Sequence, residues 1–99
     1  MWGVGTVPFK RALKTFGFQE SAVNFFADST IPDPDFGGEK RPNPEERHNM
    51  LKLAGKAQAN TQILLVNDPD ADRFALAERD GDSFLIFHGN EIGALLCEW

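Results

Sequence analysis

Phe9, Ala12, Leu13 and Phe16 recur at the i, i+3, i+4, i+7 spacing that places side chains on one face of a helix. Thr6 can cap such a helix, Pro8 is tolerated in its first turn and Gly17 can stop it, so the first helix is predicted to run to about Phe16. The stretch 22–27 is apolar except for Asn24 and predicts a short strand. Pro32, Pro34, Gly37-Gly38 and Pro42 then rule out a helix or a central strand through 31–43, which is read as a loop. At Asn43-Pro44-Glu45-Glu46 a second helix is predicted to begin, with Asn43 as N-cap, Pro44 at the first helical position and Glu46 closing a capping box. Met50, Leu51, Ala54 and Ala57 line its apolar face, Leu53 broadens it, and Arg47, Lys52 and Lys56 face outward.

The unbroken run Ile63-Leu64-Leu65-Val66 reads as a strand buried on both faces, the pattern of a parallel sheet. Residues 74–78 and 84–88 flank Asp80-Gly81, the strongest turn dipeptide in the chain, and predict an antiparallel hairpin. Asn90 can cap a last helix whose apolar set, Ile92, Ala94, Leu95, Leu96 and Trp99, is still running at the final residue, so this helix is expected to be cut short. The pattern is that of an α/β protein.

Ninety-nine residues, 41% hydrophobic with 9 Phe, suffice for one modest core, and residues 1–99 are expected to form a single partial domain. Ten basic against 15 acidic residues give a net charge of -5, with no cluster of Lys or Arg suited to phosphodiesters, so no nucleic acid partner is expected. No apolar run approaches the roughly 20 residues of a membrane span. The single cysteine and the lack of a signal-like N-terminus lead to the expectation of a cytoplasmic protein.

Asp68, Asp70 and Asp72 alternate in a short loop leaving the apolar strand. A turn there can converge three hard anionic oxygens, a donor set suited to Mg²⁺ at about 2.0 to 2.1 Å with positions left open for water or phosphate. Clustered carboxylates also repel one another unless a cation or protons neutralise them. The competing reading is a solvated acidic turn partly neutralised by Arg73. A calcium EF-hand fails, because it needs Gly at loop position 6 and Glu at position 12, where this chain has Arg73 and Arg79.

Asp68-Pro69-Asp70-Ala71-Asp72-Arg73 resembles the metal-binding loop of the α-D-phosphohexomutases, the phosphoglucomutase and phosphomannomutase family. Met1-Trp2-Gly3-Val4-Gly5, Pro32-Asp33-Pro34-Asp35-Phe36, Pro42-Asn43-Pro44-Glu45-Glu46 and Gly89-Asn90-Glu91-Ile92-Gly93-Ala94-Leu95-Leu96 are similar, in order and spacing, to the second domain of phosphoglucomutases of the phosphopentomutase-related branch. The likeness spans nearly the whole chain.

The resemblance implies a three-layer α/β/α fold with a mixed four-stranded sheet in order 2-1-3-4, strand 4 antiparallel. On that scheme the hairpin supplies strands 3 and 4 and the first strand precedes Met1, so strands 2 and 3 are expected to face a gap that leaves the isolated chain marginal or aggregation-prone. The resemblance further implies Mg²⁺-dependent phosphoryl transfer on a sugar phosphate, with glucose 1-phosphate and glucose 6-phosphate as the first pair and pentose or mannose phosphates as alternatives. A phosphoserine of another domain donates, a sugar bisphosphate turns over, and the other phosphate returns to the serine. Asp68, Asp70 and Asp72 match the Mg²⁺ ligands, and Arg73 matches an arginine that contacts phosphate oxygens, its alternative role being pairing with the aspartates.

The family's serine loop, sugar loop and phosphate loop have no counterpart here, so these residues alone are expected to be inactive. A catalytically inactive metal-binding or domain-association role is the alternative function. Ser21, Ser29 and Ser83 read as ordinary loop or strand residues. Trp2 stands where the family often has His, which favours a packing role. His48 and His88 lack the partners of a zinc site. Asn90 and Glu91 suit a cleft wall or a helix cap equally, Glu45 and Glu46 are capping residues, and Cys97 reads as a small hydrophobe rather than a nucleophile.

Overall fold

In the computed structural model, which describes Met1–Trp99, the chain is an α/β protein with four helices and one three-stranded sheet. Helix α1 spans Thr6–Thr15, with Gly5 rather than Thr6 at its N-cap. It closes in a Schellman motif: the Phe18 amide donates to Leu13 O at 2.9 Å and the Gly17 amide to Lys14 O at 3.2 Å, with Gly17 at φ +79°. The strand expected over 22–27 is absent. That segment instead joins a single 3₁₀ turn at Glu20–Ala22 to the one-turn helix α2 (Ala27–Thr30). Phe25 is drawn back onto α1, edge-on to Phe9 with ring centroids 6.1 Å apart and beneath the Lys10 ammonium.

Helix α3 spans Arg47–Ala54, so it begins three residues or more after the expected cap. Asn43 does hold a cap-like geometry, its side-chain oxygen accepting from the Glu45 amide at 2.9 Å, but the chain turns again before the helix starts. The cause is Asn49, buried to 2% exposure, whose Nδ2 donates to Arg41 O at 2.7 Å and Asn43 O at 3.0 Å and ties 41–43 to the helix as a loop. Glu39 fastens the preceding loop to the same helix by accepting from Lys52 at 2.6 Å and contacting His48 at 3.2 Å. Hydrogen bonds from Lys52 and then His48 hold its carboxyl at about 2, below the ordinary 4.5.

Strands β1 (Ile63–Asn67), β2 (Phe74–Asp80) and β3 (Ser83–Phe87) form a fully antiparallel sheet in the order β1-β2-β3. This corrects two expectations. First, β1 is not a parallel strand buried on both faces: Leu64 and Val66 are buried while Ile63 and Leu65 are about half exposed, because α3 covers only one face of it. Second, no gap separates β1 from the hairpin. Leu65 pairs with Leu76 and Leu76 with Phe87, so the strands are contiguous, and the four-stranded order 2-1-3-4 is not what these residues form. The Asp80-Gly81 hairpin is as expected: Asp80 pairs with Ser83, and positive φ at Gly81 alone is the pattern of a type II′ turn.

The core lies between α3 and one face of the sheet, where Met50 and Leu53 meet Leu64, Val66, Ala75 and Ala77, with Phe26, Phe84 and Ile86 at its margin. Alanines at 75 and 77 let the helix approach closely. Arg79 seals one end, donating to Thr61 O at 2.6 Å and Gln58 O at 3.0 Å with its guanidinium over the Phe84 ring. Helix α4 (Gly89–Glu98) packs against β2. His88 rather than Asn90 precedes it as N-cap, and the His88 amide donates to the Glu91 carboxylate at 2.8 Å. No helix is long and apolar enough to cross a membrane.

Candidate metal centre

Because β1 and β2 are antiparallel neighbours, residues 68–73 are the hairpin connection between them, and their backbone enters and leaves beside the same sheet edge. Asp68 follows the last β1 residue and is buried to 3% exposure. One of its oxygens accepts from the Arg73 amide at 3.0 Å, closing the loop on itself, while the Asp68 carbonyl accepts from the Ala71 amide at 3.1 Å. Ala71 adopts φ +62°, the left-handed conformation, which reverses the chain between Asp70 and Asp72.

This turn brings one carboxylate oxygen from each of Asp68, Asp70 and Asp72 within 4.8 Å of the others. No other set of three His, Cys, Asp or Glu side chains converges in this way. The electrostatic cost is visible at Asp72, whose carboxyl titrates above the ordinary 3.8, first because of the Asp70 charge and then through desolvation and a hydrogen bond with Asp68. Arg73 offsets only part of it. Its Nε lies 3.7 Å from Asp68 Oδ2, longer than a hydrogen bond, and its side chain is half exposed. Three oxygens from an acidic, partly buried loop are a donor set that fits a hard divalent cation, and the cluster could hold one.

Beside the carboxylates opens a cleft of about 510 Å³, lined by Asp68, Asp70 and Arg73 on one side and by Phe36, Arg41, Asn43 and Glu46 on the other. The structure thus brings together Asp68, Asp70, Asp72 and Arg73. The remaining candidates stand elsewhere: Glu91 caps α4, His48 holds Glu39, and Cys97 is exposed on α4. Ser29 is buried, and neither it nor Ser21 nor Ser83 lines the cleft.

Sequence reasoning missed the second wall. Its signal was a polar residue, Asn49, adjoining the apolar positions of α3, where it fixes the carbonyls of Arg41 and Asn43. Reasoning from sequence also missed the support beneath the loop. The Met1 ammonium donates to Asn67 O at 2.6 Å and the Val4 amide to Pro69 O at 2.8 Å. Burial pushes the Met1 ammonium below its ordinary 8.0, and the nearby Asp68 charge opposes that shift. Trp2 does have a packing role, its indole lying against Gly37.

The family profile described as phosphoglucomutase/phosphomannomutase, alpha/beta/alpha domain II, matches residues 1–81. Phosphopentomutase of Homo sapiens is 49% identical over 100 residues, a match covering 98% of this chain and 16% of that protein. Glucose 1,6-bisphosphate synthase of Homo sapiens is 39% identical over 100 residues with the same coverage. Phosphoglucomutase of Staphylococcus aureus is 37% identical over 91 residues, covering 88% of this chain and 16% of the relative. The chain therefore spans about one sixth of the length of the proteins it matches. No solved structure matches it.

Proposed function

The chain belongs to the phosphoglucomutase/phosphomannomutase family, and from that premise we propose that its 99 residues are a partial domain II supplying the metal wall of a sugar-phosphate mutase active site. The convergence of Asp68, Asp70 and Asp72 within 4.8 Å, beside a cleft that Arg73 enters, carries this reading. The proposed reaction is intramolecular phosphoryl transfer of the glucose 1-phosphate to glucose 6-phosphate type through a sugar bisphosphate. Pentose and mannose phosphates are the alternative substrates, and the names of the relatives support a sugar phosphate in general.

In this reading the three aspartates hold Mg²⁺. A bound Mg²⁺ neutralises charge on a transferring phosphoryl group, the main requirement of this chemistry. Asp68 is the fixed ligand, oriented by the Arg73 amide and shielded from solvent, whereas Asp70 and Asp72 are exposed and free to close on the ion. Arg73 has a loose contact with Asp68 and can turn its terminal nitrogens toward phosphate oxygens as a two-pronged donor. No serine lines the cleft, so the nucleophile has to come from residues other than these. A cytoplasmic setting belongs to the same proposal. That absent serine also favours the second reading, in which these residues bind a divalent cation without turning over a sugar phosphate by themselves.

A chimera tests the proposal. Residues 1–99 exchanged for the matching 100 residues of human phosphopentomutase should retain sugar-phosphate mutase activity that a chelator abolishes and Mg²⁺ restores. A chimera that folds as the parent does but shows no such activity would contradict the reading.

A further inference from the structure

The carboxylate loop rests on the first five residues of the chain, and it does so with alternate positions. Asn67 accepts from the Met1 ammonium, and Pro69 accepts from the Val4 amide at 2.8 Å. A Cβ added at Gly3 would fall 1.8 Å from Pro69 O, 2.3 Å from its Cα and 2.4 Å from its carbonyl carbon. A Cβ at Gly5 would meet the Ala71 Cβ at 3.2 Å and the Asn67 Cβ at 3.6 Å. Positions 67, 69 and 71 thus face the glycine segment, while the carboxylates sit at 68, 70 and 72.

Neither glycine has positive φ, and Gly5 has φ -67°, a conformation that alanine adopts freely. Gly3 therefore needs glycine for space and not for backbone freedom, whereas a side chain at Gly5 would have to push Ala71 aside by a few tenths of an ångström. The space is specific. Gly17, Gly38 and Gly93 have nothing within 4 Å of an added Cβ.

We propose that residues 1–5 form a backbone seat that sets the spacing of the three aspartates, with Gly3 and Gly5 acting as positioning residues for the divalent cation. The inference rests on the reading of Asp68, Asp70 and Asp72 as the metal ligands. Like charges would spread an unsupported loop, and the left-handed turn at Ala71 gives it a route to relax. A seat under the uncharged positions resists both movements without occupying the side of the loop the ion needs. Displacement of Pro69 by even a fraction of an ångström shifts the carboxylates on either side of it, and metal sites depend on support of this kind from groups that do not ligate.

Mn²⁺ binding to the 99-residue chain, followed by electron paramagnetic resonance, together with exchange of the Val4 amide, provides the test. Gly5→Ala should weaken Mn²⁺ binding about 10-fold. The same substitution on an Ala71→Gly background should cost much less, because the Cβ it would strike is gone. Gly3→Ala should weaken binding further and expose the Val4 amide to exchange, and Gly93→Ala should change neither. If Gly3→Ala does not fold, the Gly5 and Ala71 pair decides. Wild-type affinity in both glycine variants would overturn the seat and leave the metal reading standing. An unsubstituted chain that takes up no Mn²⁺ at the aspartates would overturn the metal reading itself, and the positioning role with it.

Discussion

Replacing Asp70 by Asn should weaken divalent-cation binding by more than about 100-fold while making the metal-free chain more stable. The two effects have opposite signs for one reason. Asn keeps the size of the side chain and one oxygen, but removes a charge that a hard cation needs and that Asp72 opposes. Loss of an outer support in a metal site costs about 10–100-fold, so loss of a charged direct ligand should exceed that range. In the metal-free chain the Asp70 charge is the largest cause of the upward shift at Asp72. A carboxyl whose folded pKa is raised has its stabilising balance below its unfolded pKa and loses it as pH rises through the folded value, so at neutral pH the ionised pair works against folding. Asp70→Asn removes that opposition.

A solvated acidic turn would share the stability gain but would have no specific affinity to lose. Isothermal titration with Mg²⁺, paired with urea melts of both chains, separates the two. In the phosphopentomutase chimera the same substitution should reduce Mg²⁺-dependent turnover by orders of magnitude, and near-normal turnover would remove Asp70 from the ligand set.

Met50→Ala should be the most damaging substitution in the core. Met50 is wholly inaccessible and belongs to α3, where it meets the sheet. The buried hydrophobic core comprises only six residues, so no second cluster can take up the loss. Truncating a buried Met to Ala costs about 2–5 kcal/mol, a large part of the roughly 5–15 kcal/mol that holds a typical domain together. The expected result is a urea transition shifted to much lower concentration, or no cooperative transition at all. Leu96→Ala is the comparison: Leu96 is 72% exposed on α4, and its loss should stay within about 0.5 kcal/mol. Equal midpoints for Met50→Ala and the wild type would show that the core lies elsewhere.

The parts of the fold legible in the sequence were those specified within a few residues. The Gly17 helix stop, the Asp80-Gly81 turn and the helical spacing of Phe9 to Phe16 all describe local backbone requirements, and each is met. The errors arose where distant residues decide. Asn43 satisfies a local capping rule, yet Asn49, six residues later, captures the Asn43 carbonyl and delays the helix. Ile63 to Val66 looks buried on both faces because hydropathy does not say how many layers cover a strand; α3 covers one.

The resemblance to the phosphohexomutases, by contrast, rested on several ordered segments, and the family relationship is shown by the match over residues 1–81. The family's sheet order did not transfer to these 99 residues, where three contiguous antiparallel strands form. The gap on which the expected fragility rested is therefore absent.

The site was legible in composition but not in support. Asp68, Asp70, Asp72 and Arg73 could be picked out because alternating carboxylates next to an apolar strand are chemically conspicuous. Their convergence depends on a left-handed alanine and a glycine segment more than 60 residues earlier, neither of which has a signature that spacing rules detect.

Paramagnetic broadening by Mn²⁺ in the amide spectrum of the chain tests whether the loop of three aspartates binds a divalent cation. Substoichiometric Mn²⁺ should first erase the amides of residues 68–73 and of the underlying residues 3–5, and excess Mg²⁺ should restore them. Broadening that begins at other acidic surface residues, or that Mg²⁺ fails to reverse, would contradict binding at that loop.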